Sequence, residues 1–179
     1  EIERATDFLA TNLRDIPARH RSLRAVFDYS WQLLTPQEQE AYCRLACFRG
    51  GFTYEAAQAV AHLNLKALVG LVDKSLLRRG NNNRYLRHPL LLQFANDKLA
   101  ENPSLAAEVR QNHARYFGDF VQAQEPLIFG GRADIALKRV QPEMENLRQT
   151  WEYAIEQRDT RLINQMADCF MQIFDFQGV

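Results

Sequence analysis

The sequence predicts a mainly α-helical protein that carries one small β-hairpin. Apolar residues recur at helical spacing through most of the 179 residues. Between residues 76 and 87 the spacing changes to that of short strands, around Gly80-Asn81-Asn82-Asn83. Gly and Asn tolerate the positive φ that a tight hairpin needs. Natural helix caps and prolines stand where the helical segments should begin.

Five helices are predicted before the hairpin, and Asp15-Ile16-Pro17 separates the first from the second. Ser22 and Thr53 are natural N-caps, and Thr35-Pro36-Gln37-Glu38 has the arrangement of a capping box. Gly50-Gly51 ends the third helix. The predicted helices are one over Ile2–Leu9; one from Ser22 with a stripe of Leu23, Val26, Phe27, Ser30 and Leu34; one from Pro36 that buries Tyr42, Leu45, Ala46 and Phe48; one from Thr53 to Val60; and one with a stripe of Leu65, Leu68, Val69 and Val72.

The hairpin and the helix after it complete the first domain. Its strands are predicted at Leu76–Arg79 and Arg84–Arg87, and Pro89 begins a closing helix that carries Leu91, Phe94, Ala95 and Leu99. Three helices, a hairpin wing and a closing helix are the outline of a winged-helix domain.

The residues after Asn102-Pro103 predict only helices, in antiparallel pairs that resemble the start of a TPR-like α-solenoid arm. We therefore predict three segments: residues 1–21 end a preceding helical domain and its linker, 22–102 are the winged-helix domain, and 103–179 are the arm. In the arm, a helix over 104–124 is predicted to face inward with Val109, His113, Tyr116, Phe117, Phe120 and Val121. A short helix over 133–140 follows the Gly130-Gly131 turn. Two further helices follow, with stripes of Met144, Leu147, Trp151 and Ala154 and of Leu162, Met166, Phe170 and Phe174.

Composition excludes several classes of function. Lys and Arg number 22 and so do Asp and Glu, whereas a dedicated nucleic-acid binder usually carries a basic excess. Cys43, Cys47 and Cys169 form no disulfide framework or metal set, so we expect buried thiols in a reducing cytoplasm. The sequence contains no signal peptide or membrane-length apolar run, and it starts without Met, so we expect a cytoplasmic piece of a longer polypeptide.

No catalytic constellation is present. The chain lacks the Gly-x-x-x-x-Gly-Lys-[Ser/Thr] phosphate loop, and no Ser/His/Asp or Cys/His set has a convincing context. We expect no enzyme activity, no catalytic residue and no metal ligand in this fragment. His62 is interpreted as a helix-end residue, His113 as part of a packed stripe, and Trp31 and Trp151 as core aromatics.

An ordered set of phrases resembles the winged-helix and arm region of bacterial STAND signal-transduction ATPases, the NB-ARC or AfsR-like proteins. The set is specific because its members occur in the family's order, although each alone is weak. The phrases are RHRSLRAVFDYSWQLL at Arg19–Leu34, LACFRGGFT at Leu45–Thr53, LVDKSLL at Leu71–Leu77, YLRHPLL at Tyr85–Leu91, and Glu145-Asn146-Leu147-Arg148 with Trp151 and Ala154 in the arm.

The resemblance implies a non-catalytic regulatory part of a nucleotide-controlled switch. In such proteins an upstream P-loop domain of the same chain holds ADP or ATP, and the winged-helix domain closes over the ADP. A protein or small-molecule inducer binds the downstream helical repeats, and the opened molecule oligomerises or exposes an effector that often activates transcription. The implied partners include neither a membrane nor, for this fragment, DNA.

His88 is the candidate cofactor-binding residue. The resemblance places it where the family histidine contacts the terminal phosphate of ADP, and the N-terminus of the Pro89 helix is independently favourable for phosphate. Arg84 and Arg87 are expected to add positive potential, although strand alternation sends neighbouring side chains to opposite faces. Pro89 replaces the acidic residue usual after that histidine, which could loosen the imidazole. The competing interpretation is a surface helix cap.

Two other functions compete with the switch. A DNA-binding winged helix would insert Leu65–Leu76 into the groove, but this segment lacks the Arg, Asn and Gln that read base edges. The wing arginines at 78, 79, 84 and 87 would allow weak phosphate binding. The other alternative is a helical scaffold whose arm binds proteins. The basic cluster of Arg14, Arg19, His20, Arg21 and Arg24 is interpreted as a solvated linker.

Overall fold

A computed structural model describes residues 26–177, with side chains through residue 172. Those up to Thr35 belong to one compact unit and those from Pro36 onward to another. In the first unit residues 26–32 are helical. Val26, a member of the predicted apolar stripe, is 55% exposed, so the prediction is wrong at this position. Leu34, another member, is buried but lies beyond the end of the helix. The predicted 2–9 helix, Ser22, Leu23 and the basic cluster fall outside the described residues.

The second unit begins with the predicted winged-helix elements. Thr53 caps its helix by accepting a hydrogen bond from the Ala56 backbone N–H at 3.2 Å, and Asn64 caps the next one through the Ala67 N–H at 2.8 Å. The elements are α1 (Pro36–Arg44), a 3-10 helix (Leu45–Cys47), β1 (Phe52–Thr53), α2 (Tyr54–Ala61), α3 (Leu65–Asp73), β2 (Arg78–Arg79), β3 (Arg84–Leu86) and α4 (Pro89–Ala100).

The strands form a three-stranded antiparallel sheet in the order β1-β3-β2. Phe52 pairs with Tyr85 across β1 and β3, and Arg78 pairs with Leu86 across β2 and β3. Asn82 and Asn83 have φ of 55° and 57° at the hairpin tip, as their residue type predicted. The sequence did not predict β1, because a strand of two residues is too short to show alternation. The mainly helical class with a small β wing is confirmed.

The predicted stripe of α3 is partly wrong. Leu68 and Leu71 are fully buried, whereas Leu65 is 53% and Val69 46% exposed. The helix packs against α1, and its buried side runs through Leu68 and Leu71, which is rotated away from the predicted stripe. Two apolar side chains of α3 therefore face solvent in the described part of the chain.

The arm consists of α5 (Pro103–Gln122), α6 (Glu125–Phe129), α7 (Ala133–Val140), a second 3-10 helix (Gln141–Glu143), α8 (Met144–Glu156) and α9 (Thr160–Gln177). The sequence did not predict the short α6. Helices α8 and α9 pack as an antiparallel pair joined by residues 157–159, and both pack on α5. A Cβ on Gly118 would lie 2.5 Å from Leu162 Cδ1, so glycine lets α9 approach α5 closely.

Asn102, near which the sequence predicts a domain boundary, lies between α4 and α5 and caps α5 through the Leu105 N–H at 3.1 Å. The winged-helix elements from Pro36 and the arm nevertheless pack as one compact unit. None of the described helices is long and apolar enough to span a bilayer. Within residues 26–177 no cluster of three or more His, Cys, Asp and Glu side chains could hold a metal ion.

Candidate functional site

His88 is exposed at the junction of β3 and α4, where it is the N-cap of α4. Its Nδ1 accepts a hydrogen bond from the Leu90 backbone N–H at 3.3 Å. A ring nitrogen that accepts is unprotonated, so the proton of the neutral imidazole belongs on Nε2. Among the described residues Nε2 has no partner, so this N–H remains available to an acceptor outside the described part.

Arg87, which was expected to add positive potential beside His88, directs its guanidinium into the protein. Its Nη2 donates to the Leu45 carbonyl at 2.7 Å, and its guanidinium lies 5.9 Å from the ring centroid of Tyr42. Burial lowers the pKa of Arg87. Burial also raises the pKa of Tyr42 to about 12, with Arg87 opposing that rise, and the Tyr42 hydroxyl donates to the Leu91 carbonyl at 2.8 Å. Arg87, which directly follows β3, therefore connects the end of that strand to α1 and to the first 3-10 helix inside the protein.

Arg84 is also engaged inside the protein. Its guanidinium forms a mostly buried ion pair with Glu143 and donates to the carbonyl oxygens of Gly51 and Pro142, the latter at 3.0 Å. Asn146 Nδ2 donates to Gly51 O at 3.1 Å and to Glu143 Oε2 at 2.9 Å. We call Gly51, Arg84, Glu143 and Asn146 the junction clamp. It fixes β3 of the wing to the start of α8 in the arm.

Gly51 lies very close to β3. An added Cβ would lie 2.6 Å from Leu86 Cδ2 and 3.1 Å from the Tyr85 carbonyl oxygen. Glycine lets the chain pass this close to β3 without displacing the Leu86 side chain, and its carbonyl accepts from both Arg84 and Asn146.

An aromatic cluster lies beside the clamp. Phe48 packs against Phe52 at 4.7 Å between ring centroids, and the His113 ring lies 5.4 Å from Phe48 and 4.6 Å from Phe117. All four side chains are at most 1% exposed. The predicted packing of His113 in a helical stripe is confirmed.

His113 is buried without a full set of partners. Its Nδ1 lies 3.4 Å from Thr150 Oγ1, and its Nε2 has no hydrogen-bond partner among the described residues. Burial lowers its pKa to about 4, and the Asn146 side chain opposes this shift. His113 is therefore neutral near neutral pH.

The wing and α3 present a different surface. Arg78 and Arg79 are exposed on β2, next to the exposed Asn81–Asn83 tip. Lys74, just after α3, is held by Glu38 with both N–O distances at 2.6 Å. The outer side of α3 presents Leu65, Lys66, Val69 and Asp73.

The remaining predictions for individual side chains were mostly correct. All three cysteines are buried, and burial raises the pKa of Cys47 to about 12, so these thiols are inert packing groups. His62 ends α2 with φ of 55°, as predicted. Trp151 packs edge-on against Phe170 at 5.5 Å.

Sequence reasoning missed Glu143 and Asn146. A usable signal was present, because Asn146 and Thr150 lie one helical turn apart on the same side of α8 as Leu147 and Ala154. Polar residues within an apolar stripe indicate a buried hydrogen-bonded site.

Three curated mycobacterial proteins match the chain at 31% identity over 158 residues, one from Mycobacterium bovis and two from strains of Mycobacterium tuberculosis. Each is provisionally named an HTH-type transcriptional regulator. The match covers 83% of this chain, and therefore includes parts of both the winged helix and the arm, but the chain spans only 18% of the length of these relatives. No family model and no solved structure matches the chain.

Proposed function

We propose that this chain is the winged-helix and arm module of a larger transcriptional regulator, and that the module controls the regulator by closing over a bound nucleotide. The relatives' name and the small share of their length that the chain matches support a module within a large regulator. The rigid joining of wing and arm through the junction clamp supports a role in transmitting a change between domains.

The observation that carries the nucleotide proposal is the geometry of His88. Its Nδ1 is used on the Leu90 N–H, which fixes the ring at a helix N-terminus and leaves Nε2–H for a phosphate oxygen of ADP. An upstream P-loop domain of the same polypeptide would hold that ADP. Pro89 at the first helical position preserves the helix without the usual carboxylate.

The test uses the intact parent polypeptide and compares His88→Ala, His88→Asn and Gln93→Ala. Asn is a good N-cap, so His88→Asn keeps the cap of α4 but is too short to reach the phosphate. We expect both His88 variants to lose co-purified ADP and to raise basal transcription, because the closed state loses a contact. Gln93, exposed on the same helix, is the control and should retain wild-type occupancy.

The outcomes of this test separate the two roles of His88. If His88→Asn retains wild-type ADP occupancy and basal transcription, then His88 is only a helix cap and the nucleotide proposal is wrong. Loss in both His88 variants with retention in Gln93→Ala supports the phosphate contact.

Direct DNA binding is the second candidate, and the relatives' name together with the exposed Arg78 and Arg79 favours it. The outer side of α3 opposes base recognition, since Leu65 and Val69 occupy half of it and it lacks the Arg, Asn and Gln side chains that commonly read base edges. We expect Arg78→Ala/Arg79→Ala to abolish only a weak, salt-sensitive affinity for duplex DNA in fluorescence anisotropy. Sequence-selective binding that persists at physiological salt would favour the DNA-binding function instead.

A further inference from the structure

We propose that a cleft between the winged helix and the arm binds a small zwitterion of the α-amino acid class. The cleft has a volume of about 290 Å³ and is lined by the first 3-10 helix, α4, α5 and α8. This volume is at the lower end of ligand pockets, so it suits a compact molecule. The proposal concerns binding by this chain and does not depend on the nucleotide switch.

Two residues that line the cleft carry buried polar atoms without a partner. Gln149 Oε1 and His113 Nε2 have no hydrogen-bond partner in the described part of the chain. Buried polar atoms in native proteins are nearly always satisfied by protein, water or ligand. An amide oxygen accepts only, so Gln149 Oε1 calls for an N–H or O–H donor. The oxygen is covered in the unliganded chain, so the Gln149 side chain would turn towards the cleft to accept from an ammonium group.

The charged side chains of the cleft match both ends of a zwitterion. Arg110 on α5 and Glu156 on α8 line it, and neither forms an ion pair within residues 26–177. Arg110 suits a carboxylate, and Glu156 suits an ammonium group beside Gln149. Arg49 and Glu152, also in the lining, neutralise each other at 2.6 Å. The balance of two positive and two negative side chains disfavours a polyanion.

The rest of the lining supplies an apolar wall. Leu92 and Leu99 of α4 face the cleft, so the body of the ligand can be aliphatic. The ligand would contact α4 of the winged helix and α5 and α8 of the arm together. Binding would therefore stabilise the joined arrangement of the two parts, since a ligand that binds only the native state raises stability by mass action.

A second cleft, beside Asp119 and Arg161, lacks this feature. Its Gln165 Nε2 already donates to Asp119 Oδ1 and Gln122 Oε1, each at 3.0 Å. None of the side-chain atoms that line it is a buried orphan in the described part of the chain. The unpartnered amide oxygen thus distinguishes the first cleft.

The experiment titrates this chain with each proteinogenic α-amino acid by isothermal calorimetry and follows thermal unfolding with each at millimolar concentration. Acetate and methylammonium serve as probes that carry only one of the two charged groups. We expect a subset of amino acids to bind and to raise Tm, and we expect acetate and methylammonium to do neither. Absence of binding by every amino acid, or equal binding of a single-group probe, would overturn the proposal.

Three variants locate the site. Gln149→Leu and Arg110→Ala should each weaken binding by about tenfold or more, because each removes one recognition group. Arg139→Ala, an exposed arginine on α7 outside the cleft, should bind as the wild type does. Circular dichroism checks that the variants are folded, and Gln149→Leu should be no less stable without ligand because it removes the orphan acceptor. Wild-type affinity in both cleft variants would place any binding elsewhere and refute the site.

Discussion

The two sides of the winged-helix part differ in how far their side chains are buried or paired. On the arm-facing side, Phe48 is fully buried and packs against Phe117 of the arm, and Arg84 pairs with Glu143 of the arm. On the outer side, Leu65 and Val69 of α3 are about half exposed, and Arg78 and Arg79 extend from the wing. The winged-helix part therefore has a closed side, which packs on the arm, and an open side, which faces solvent in the described part of the chain.

The outer side of α3 can be compared with the recognition helix of a DNA-binding winged helix. In DNA-binding members, the corresponding helix enters the major groove and presents polar side chains to base edges. Here the outer side of α3 presents two apolar side chains, Leu65 and Val69, beside the charged Lys66 and Asp73. The adjacent Lys74 is held by Glu38. The stability of the unit should consequently depend on the arm-facing side, and substitutions on the two sides should differ sharply in effect.

The largest expected effect is that of Phe48→Ala. Phe48 is fully buried and packs against Phe52, His113 and Phe117, so its removal leaves a cavity between the first 3-10 helix and α5. We expect the free energy of unfolding to fall by about 3–5 kcal/mol, measured by urea denaturation.

Val69→Ala is the matched control on the open side. Val69 is 46% exposed, so its truncation removes little buried area and should change the free energy of unfolding by less than about 0.5 kcal/mol. Equal losses from the two truncations would mean that the open side is covered in solution, and the contrast between the sides would then disappear.

The junction clamp should give the next largest effect. Glu143→Met leaves the Arg84 guanidinium mostly buried without its carboxylate, which should cost about 3 kcal/mol in the free energy of unfolding. Arg84→Met/Glu143→Met removes both charges and should recover part of that loss, because no unpaired charge remains. A double variant that is less stable than Glu143→Met would argue against charge pairing as the source of the effect.

Local signals in the sequence were enough to predict most of the helices and the hairpin. Thr53 and Asn82-Asn83 act within a few residues of their own positions, so their effect can be derived from residue type. The helix over 133–140 was predicted with the bounds that α7 has. The short β1 and α6 were missed because periodicity needs more residues than these elements contain.

The site was less predictable, because its contacts join distant parts of the chain. Arg84 and Glu143 are 59 residues apart, and Arg87 reaches a carbonyl 42 residues away. Residue type shows that an arginine can bind phosphate, but only the packing shows that Arg84 and Arg87 are already used. His88 was predictable as a helix-start residue because its cap contact spans only two residues.

The smallest of the three effects is a pH dependence that arises on the closed side. The pKa of His113 is lowered from 6.5 to about 4 in the folded state, so the unfolded state binds a proton more readily. Above about pH 6.5 the ring is neutral in both states and its contribution to stability is constant. As the pH falls from about 6.5 to about 5, stability should fall by up to about 1.4 kcal/mol per pH unit, or about 2 kcal/mol in all, because protonation favours unfolding.

His113→Leu tests this dependence, since leucine fills the buried position with an apolar side chain that cannot be protonated. Urea denaturation of both proteins between about pH 7 and pH 5 gives the difference in their pH slopes, and carboxylates common to both cancel in that difference. We expect the wild type to lose stability faster than the variant as the pH falls. Parallel slopes would mean that His113 is protonated equally easily in both states, and that the closed side admits water to the ring. The closed and open sides would then differ only in how tightly their side chains pack, and not in how strongly they disfavour a charged side chain.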